Sequence, residues 1–193
     1  MGTRAAPAYH PAPAPASGMA PGTEPSFAQR RDTAATALVA TTGGSVTLPA
    51  FATVSFPAGA FSAPQAVTIE ATSLPEWRAI FDVLASIYES AAPLSYEIRV
   101  TTGRVAPATD FEVAIVVPDT YLSALPSGYI VELFALVVQG GPDERIERFK
   151  PFPSAFDART RVVQAELPKR IFDSNQRMPG IFEAVLMIGS KRG

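Results

Sequence analysis

Tyr96-Glu97-Ile98-Arg99-Val100-Thr101 sets apolar and polar side chains in strict alternation. A β-strand turns successive side chains to opposite faces, so a period of two describes a strand with one face buried and one face wet. Phe111-Glu112-Val113-Ala114-Ile115-Val116-Val117 starts the same way and then becomes wholly apolar, and Val162-Val163-Gln164-Ala165-Glu166-Leu167 alternates again. Outward from these three, short runs rich in Val, Ile, Phe and Leu are punctuated by Gly, Pro, Asp and Ser. They place strands at 36–40, 44–48, 52–56, 66–72, 94–101, 111–117, 128–138, 145–150, 160–166 and 181–188. Many short strands at this spacing predict a mainly β fold, an antiparallel β-sandwich.

Two segments break the pattern. Trp77, Ile80, Phe81, Leu84, Ile87 and Tyr88 recur at helical spacing, while Glu76, Arg78, Asp82 and Glu89 fall elsewhere. That stripe predicts one inserted α-helix over about 75–90. Ser73 stands three residues before Glu76 as a capping box, Pro75 fits the first turn, and Pro93 bounds the end. Asp119–Leu125, between Pro118 and Pro126, reads as one or two helical turns.

The first 33 residues differ in kind. Pro7, Pro11, Pro13, Pro15, Pro21 and Pro25 remove backbone donors, and large apolar residues are scarce. Residues 1–33 are therefore expected to be a disordered Ala/Pro-rich arm with polyproline II character, acting as a spacer, and 34–193 the β-sandwich domain. The net charge of −2 carries no basic footprint, so nucleic-acid binding is not expected. The charge is uneven: residues 36–142 carry three basic and nine acidic groups, residues 143–193 ten basic and seven acidic. No stretch approaches the roughly 18 apolar residues of a transmembrane helix, so membrane insertion is not expected either. The N-terminus lacks a signal-peptide pattern. The compartment stays open, cytoplasmic unless the chain is a fragment of an exported protein. The Ala-, Arg- and Pro-rich usage suggests a bacterial source.

Catalytic inventory is thin. With no cysteine and one histidine, His10 in the arm, thiolate chemistry, imidazole-based metal sites and a Ser-His-Asp triad are not expected, and no cofactor is implied. Paired carboxylates are the option left, with Glu70, Glu97, Asp110 and Glu112 as the candidates. The alternation turns Glu97 and Glu112 to solvent, where such charges keep a sheet soluble. Phe149, Phe152 and Phe156, interleaved with Pro151 and Pro153, either form an exposed interaction strip or plug one end of the sandwich. Trp77 is the remaining aromatic candidate for interaction, with a core role as its alternative.

Residues 43–70 hold a more specific arrangement. Gly43-Gly44-Ser45-Val46-Thr47-Leu48 is a turn entering a strand, Val54-Ser55-Phe56-Pro57-Ala58-Gly59-Ala60-Phe61 a strand ending in a Pro/Gly corner, and Val67-Thr68-Ile69-Glu70 the start of the next. Gly43 or Gly44 supplies positive φ, Pro57 ends a ladder and Gly59 lets the chain fold back. This stretch resembles the opening of the β-sandwich domain shared by ankyrins, netrin receptors and zonula-occludens scaffolds. The resemblance implies protein–protein interaction. Some such domains cut their own chain beside a Phe-Ser or Phe-Pro bond, and the nearest counterpart here is Phe149–Ser154. Self-cleavage is not expected, since a serine nucleophile needs a base and the one histidine lies in the arm. The helix at 75–90 has no place in the family pattern.

Three functions follow as expectations. The first is a non-catalytic protein interaction or scaffolding module within a larger assembly. The second is a self-assembling structural protein, pairing the acidic and basic halves of neighbouring copies into a homo-oligomer. The third is a carboxylate-dependent hydrolase domain, which needs two acids facing each other across a cleft.

Overall fold

The computed structural model describes residues 34–73, 96–139, 146–174 and 181–193. Eleven strands stand in the order β1 (Ala34–Val39), β2 (Gly44–Leu48), β3 (Ala52–Phe56), β4 (Gln65–Ser73), β5 (Tyr96–Gly103), β6 (Phe111–Val116), β7 (Tyr129–Gln139), β8 (Ile146–Phe152), β9 (Ala155–Asp157), β10 (Val162–Leu167) and β11 (Phe182–Arg192). Among the described residues, two short helices, α1 (Asp119–Ala124) and α2 (Arg170–Ser174), interrupt them. The strands form a six-stranded sheet, β1-β4-β5-β11-β7-β8, and a five-stranded sheet, β2-β3-β6-β10-β9, all paired antiparallel. The expected mainly β, two-sheet antiparallel architecture is observed. The arm assigned to residues 1–33 and the helix assigned to 75–90 lie outside the described residues.

Each strand puts one face into the space between the sheets. Val46, Val54, Ile69, Val100, Val113, Leu133, Val163 and Leu186 are among the side chains buried there, in one continuous core. One end of this core is aromatic. Phe56, Phe61, Phe111 and Phe172 pack with ring centroids 5.1–5.6 Å apart along the chain Phe61–Phe56–Phe111–Phe172. Tilted and offset geometries of this kind suit the quadrupoles of the rings. Phe172 comes from α2, whose start is fixed by Asp110: its Oδ1 accepts from the Lys169 N–H at 3.0 Å. Ala108 O accepts from Lys169 Nζ at 2.9 Å.

The chain crosses between the sheets at both sides. Residues 40–43 carry it from β1 to β2, and Pro153–Ser154 carry it from β8 to β9. Gly43 makes the first crossing with φ of +91°, and a Cβ there would sit 2.7 Å from the Phe56 carbonyl oxygen, so only glycine fits. The Pro57–Gly59 corner packs against the same turn, the Gly59 N–H donating to Thr41 O at 2.9 Å. At the second crossing the Ser154 hydroxyl accepts from the Leu133 N–H at 3.1 Å. The chain thus bridges β1 to β2 and β8 to β9, and neither side is left as two long open edges.

One strand differs from the sequence reading: β9 was not expected, and with only three residues it is too short to carry a period. β11 falls where its apolar run placed a strand, and Ala184 through Ile188 are buried on both faces, as in a central strand covered above and below.

Candidate interaction surfaces

The outer face of the six-stranded sheet carries both a charged cluster and an apolar patch. The correction to the sequence reading lies here. Glu97 was expected to point to solvent; its side chain is 1 % exposed. The alternation of β5 is intact, with Ile98 and Val100 turned to the sandwich core. The outer face itself is buried at this point, which no period in the strand reveals. Arg99, two residues on and on the same face, answers the charge: its Nε and Nη2 both lie 2.5 Å from Glu97 Oε1. Arg99 Nη1 is 3.7 Å from Glu183 Oε1 on β11. Glu97 Oε2 is buried and has no hydrogen-bond partner among the described residues. One guanidinium thus serves two carboxylates, in the planar fork geometry for which arginine is suited.

Next to this cluster lies a second apolar group, Phe134, Leu136, Phe149, Val185 and Met187. The register sets them side by side: Arg99 opposes Val185, Met187 opposes Phe134, and Leu136 opposes Phe149. The Phe134 ring lies across Gly189, where a Cβ would approach its Cε2 to 2.8 Å. Farther along, Lys191 is ion-paired with Glu132.

The outer face of the five-stranded sheet is of another character. Ser45 and Ser55 share a hydrogen bond of 2.8 Å between their hydroxyls, and Thr47 and Thr53 one of 3.1 Å. These pairs are register partners on β2 and β3. Ser55 in turn stands opposite Glu112 on β6, and Glu112 opposite Glu166 on β10. Both glutamates are exposed. Like charges directly opposite across a sheet are unfavourable, so this pair contributes nothing to the fold's own stability. This face carries short hydroxyl side chains on β2 and β3 and the exposed Glu112 on the central strand β6.

The residues singled out from sequence are distributed as follows. Glu97 and Glu112 occupy opposite outer faces of the sandwich. Glu70 is exposed on β4, and Asp110 is engaged with Lys169. No two of the four candidate acids face each other across a cleft. Phe149 belongs to the outer apolar patch, whereas Phe152 and Phe156 are half-buried against the sandwich core. The structure therefore does not bring these three rings into one strip. Trp77 lies outside the described residues. Among the described residues, no group of three or more His, Cys, Asp or Glu side chains is placed to hold a metal ion. No described helix is long and apolar enough to cross a membrane.

Sequence reasoning missed the buried hydroxyls at the far end. Tyr121 of α1 lies near Ser190 of β11, and neither hydroxyl reaches a partner at bonding geometry among the described residues. Burial pushes the Tyr121 phenol above its ordinary value of 10.0, an effect that the nearby Ser190 hydroxyl partly offsets. In the turn after β9, the Thr160 hydroxyl and the Arg159 N–H donate to Asp157, and these bonds hold its carboxyl below the usual carboxylate range.

No family model matches this chain, and no curated protein matches it.

Proposed function

We propose that the chain is a non-catalytic protein-binding or scaffolding module, and that its binding surface is the outer face of the five-stranded sheet. The observation that carries this reading is the hydroxyl ladder of Ser45, Ser55, Thr47 and Thr53 beside the Glu112–Glu166 pair. Short hydroxyl side chains lose little rotamer freedom on docking and bond in several directions, which suits them to a polar interface. The unfavourable Glu112–Glu166 juxtaposition is relieved by a partner that brings a basic side chain over it. The Gly43 turn and the Pro57–Gly59 corner support the resemblance to the ankyrin, netrin-receptor and zonula-occludens domain, for which protein interaction is the usual role. That likeness rests on residues 43–70.

The test is a quantitative pull-down with the full chain as bait, compared with Thr47→Arg and Glu112→Lys on the proposed face and Glu70→Lys on the other sheet. A protein retained by the parent and by Glu70→Lys but lost from both face variants supports the proposal. Retention unchanged by Thr47→Arg and Glu112→Lys refutes the surface. Turnover of a substrate abolished by Glu97→Gln or Glu112→Gln refutes the non-catalytic reading.

A further inference from the structure

The last strand of a sheet turns a row of N–H and C=O groups outward, and such edges are ordinarily guarded by charge, by proline or by shortness. On one side of the sandwich both edges follow this rule: β8 holds Lys150 and Pro151, and β9 has three residues and ends in Asp157. On the other side β1 does not. Ala34-Ala35-Thr36-Ala37-Leu38-Val39 contains no charge and no proline, and among the described residues it pairs on one side only, with β4. Leu38 is 71 % exposed, more than any other large apolar side chain among the described residues. Ala34 and Thr36 share its outer face and are exposed as well, while Ala35 and Ala37 turn to the core. β2, the other edge on this side, presents Ser45 and Thr47 instead of a large apolar side chain.

We infer that β1 pairs edge to edge with β1 of a second copy of this chain, antiparallel about a two-fold axis at Thr36, so that two six-stranded sheets become one. Three observations select this occupant and this register. The strand is complementary to itself: about that axis Leu38 of each copy faces Ala34 of the other, Ala35 faces Ala37, and Thr36 faces Thr36. A large side chain meets a small one, and no charge stands opposite another. Next, Thr101, Thr68 and Thr36 form one register row across β5, β4 and β1, with the Thr36 and Thr68 hydroxyls 2.8 Å apart, and the row stops at the edge. The two-fold carries it on into the same row of the second copy, and threonine pairs across strands are favourable. Finally, pairing over residues 34–38 ends short of the Ala40–Gly43 turn, where the chain leaves for the other sheet. An axis one residue farther on would set Ala34 against Ala40 in that turn. The pairing closes at two copies, because the opposite edge of the same sheet is the guarded β8. It does not use the hydroxyl face proposed above for a protein partner.

Sedimentation velocity of the full chain across a micromolar concentration series should show a monomer–dimer equilibrium. Amide hydrogen exchange within 34–39 should slow as the dimer fills, while exchange within 44–48 stays unchanged. Leu38→Lys places a charge on an exposed position of the edge and should weaken dimerisation roughly tenfold or more, with the parent's far-UV circular dichroism and urea midpoint retained. The chain has no cysteine, so a nitroxide on Thr36→Cys reports the register: its spectrum should broaden by coupling between copies and sharpen on dilution with unlabelled chain. The same label on Thr47→Cys should not broaden. A chain that stays monomeric throughout the series overturns the inference. So does protection of 34–39 that is independent of concentration, which would mean that the edge is closed within one chain. A dimer that Leu38→Lys leaves intact, or whose protection appears at 44–48, places the interface elsewhere and overturns it too.

Discussion

Replacing Arg99 with methionine is expected to destabilise the protein far more than removal of a surface charge. Arg99→Met keeps the apolar stem but deletes the guanidinium that lies 2.5 Å from Glu97 Oε1 through two nitrogens. Glu97 is then a carboxylate buried to 1 % with Oε1 and Oε2 both unpaired, and Glu183 faces it without the intervening cation. Breaking a buried ion pair from one side costs about 3–5 kcal/mol. Because the Arg99 side chain is 27 % exposed, the lower end of that range applies, about 3 kcal/mol. For a domain of this size that corresponds to a fall in Tm of roughly 6–12 °C. The double variant Glu97→Met/Arg99→Met removes both charges and should return to within about 1 kcal/mol of the parent, since apolar replacement of a buried pair is often neutral. Glu97→Met alone leaves Arg99 with Glu183 and some access to solvent, and should cost about 1 kcal/mol. Urea unfolding of all four proteins, followed by far-UV circular dichroism at pH 7, closes the cycle. A coupling energy of about 2 kcal/mol or more is expected. An Arg99→Met penalty below about 1 kcal/mol with no coupling would show that Glu97 is solvated and the buried-pair argument wrong.

Other expectations follow from the core, the first crossing and the buried phenol. Phe111→Ala opens the aromatic end at its centre, where the ring touches both Phe56 and Phe172, and should cost about 3–5 kcal/mol in denaturant unfolding; a cost under about 1 kcal/mol would mean that the end is not packed as described. Gly43→Ala must accept φ of +91° and a Cβ 2.7 Å from Phe56 O, so a loss of more than about 1 kcal/mol is expected, while Gly59→Ala, which has open space around its Cβ, should suffer from its φ of +80° alone and lose less. Tyr121 stays protonated in the folded state at pH values where the unfolded phenol ionises, so its contribution to stability is complete below pH 10.0 and declines as the pH rises above it. Unfolding measured from pH 8 upward should show a shallower alkaline decline in Tyr121→Phe than in the parent, and at neutral pH that variant, which deletes a buried hydroxyl without a partner, should be no less stable than the parent by more than about 0.5 kcal/mol.

The sandwich was legible because its signals are local. Alternation in 96–101, 111–117 and 162–167 follows from strand geometry alone, and ten of the eleven strands fall where the apolar runs and their Gly and Pro punctuation put them. The turn at Gly43 and the corner at Pro57–Gly59 were equally local, since positive φ and the missing proline donor belong to single residues. Register, by contrast, joins residues far apart in the chain. Only the tertiary structure pairs Glu112 with Glu166 and aligns the Ser45–Ser55 and Thr47–Thr53 hydroxyls, so only it reveals this polar face. Phe149 and Phe152 shared one aromatic cluster in sequence, yet the pleat of β8 sends them to opposite faces. Glu97 shows the limit most plainly. Its strand, its face and its alternation with Ile98 were determined by six consecutive residues, but its burial was not. Burial depends on what lies above the sheet, and that is decided by packing between segments distant in the chain, which no periodicity within a strand encodes.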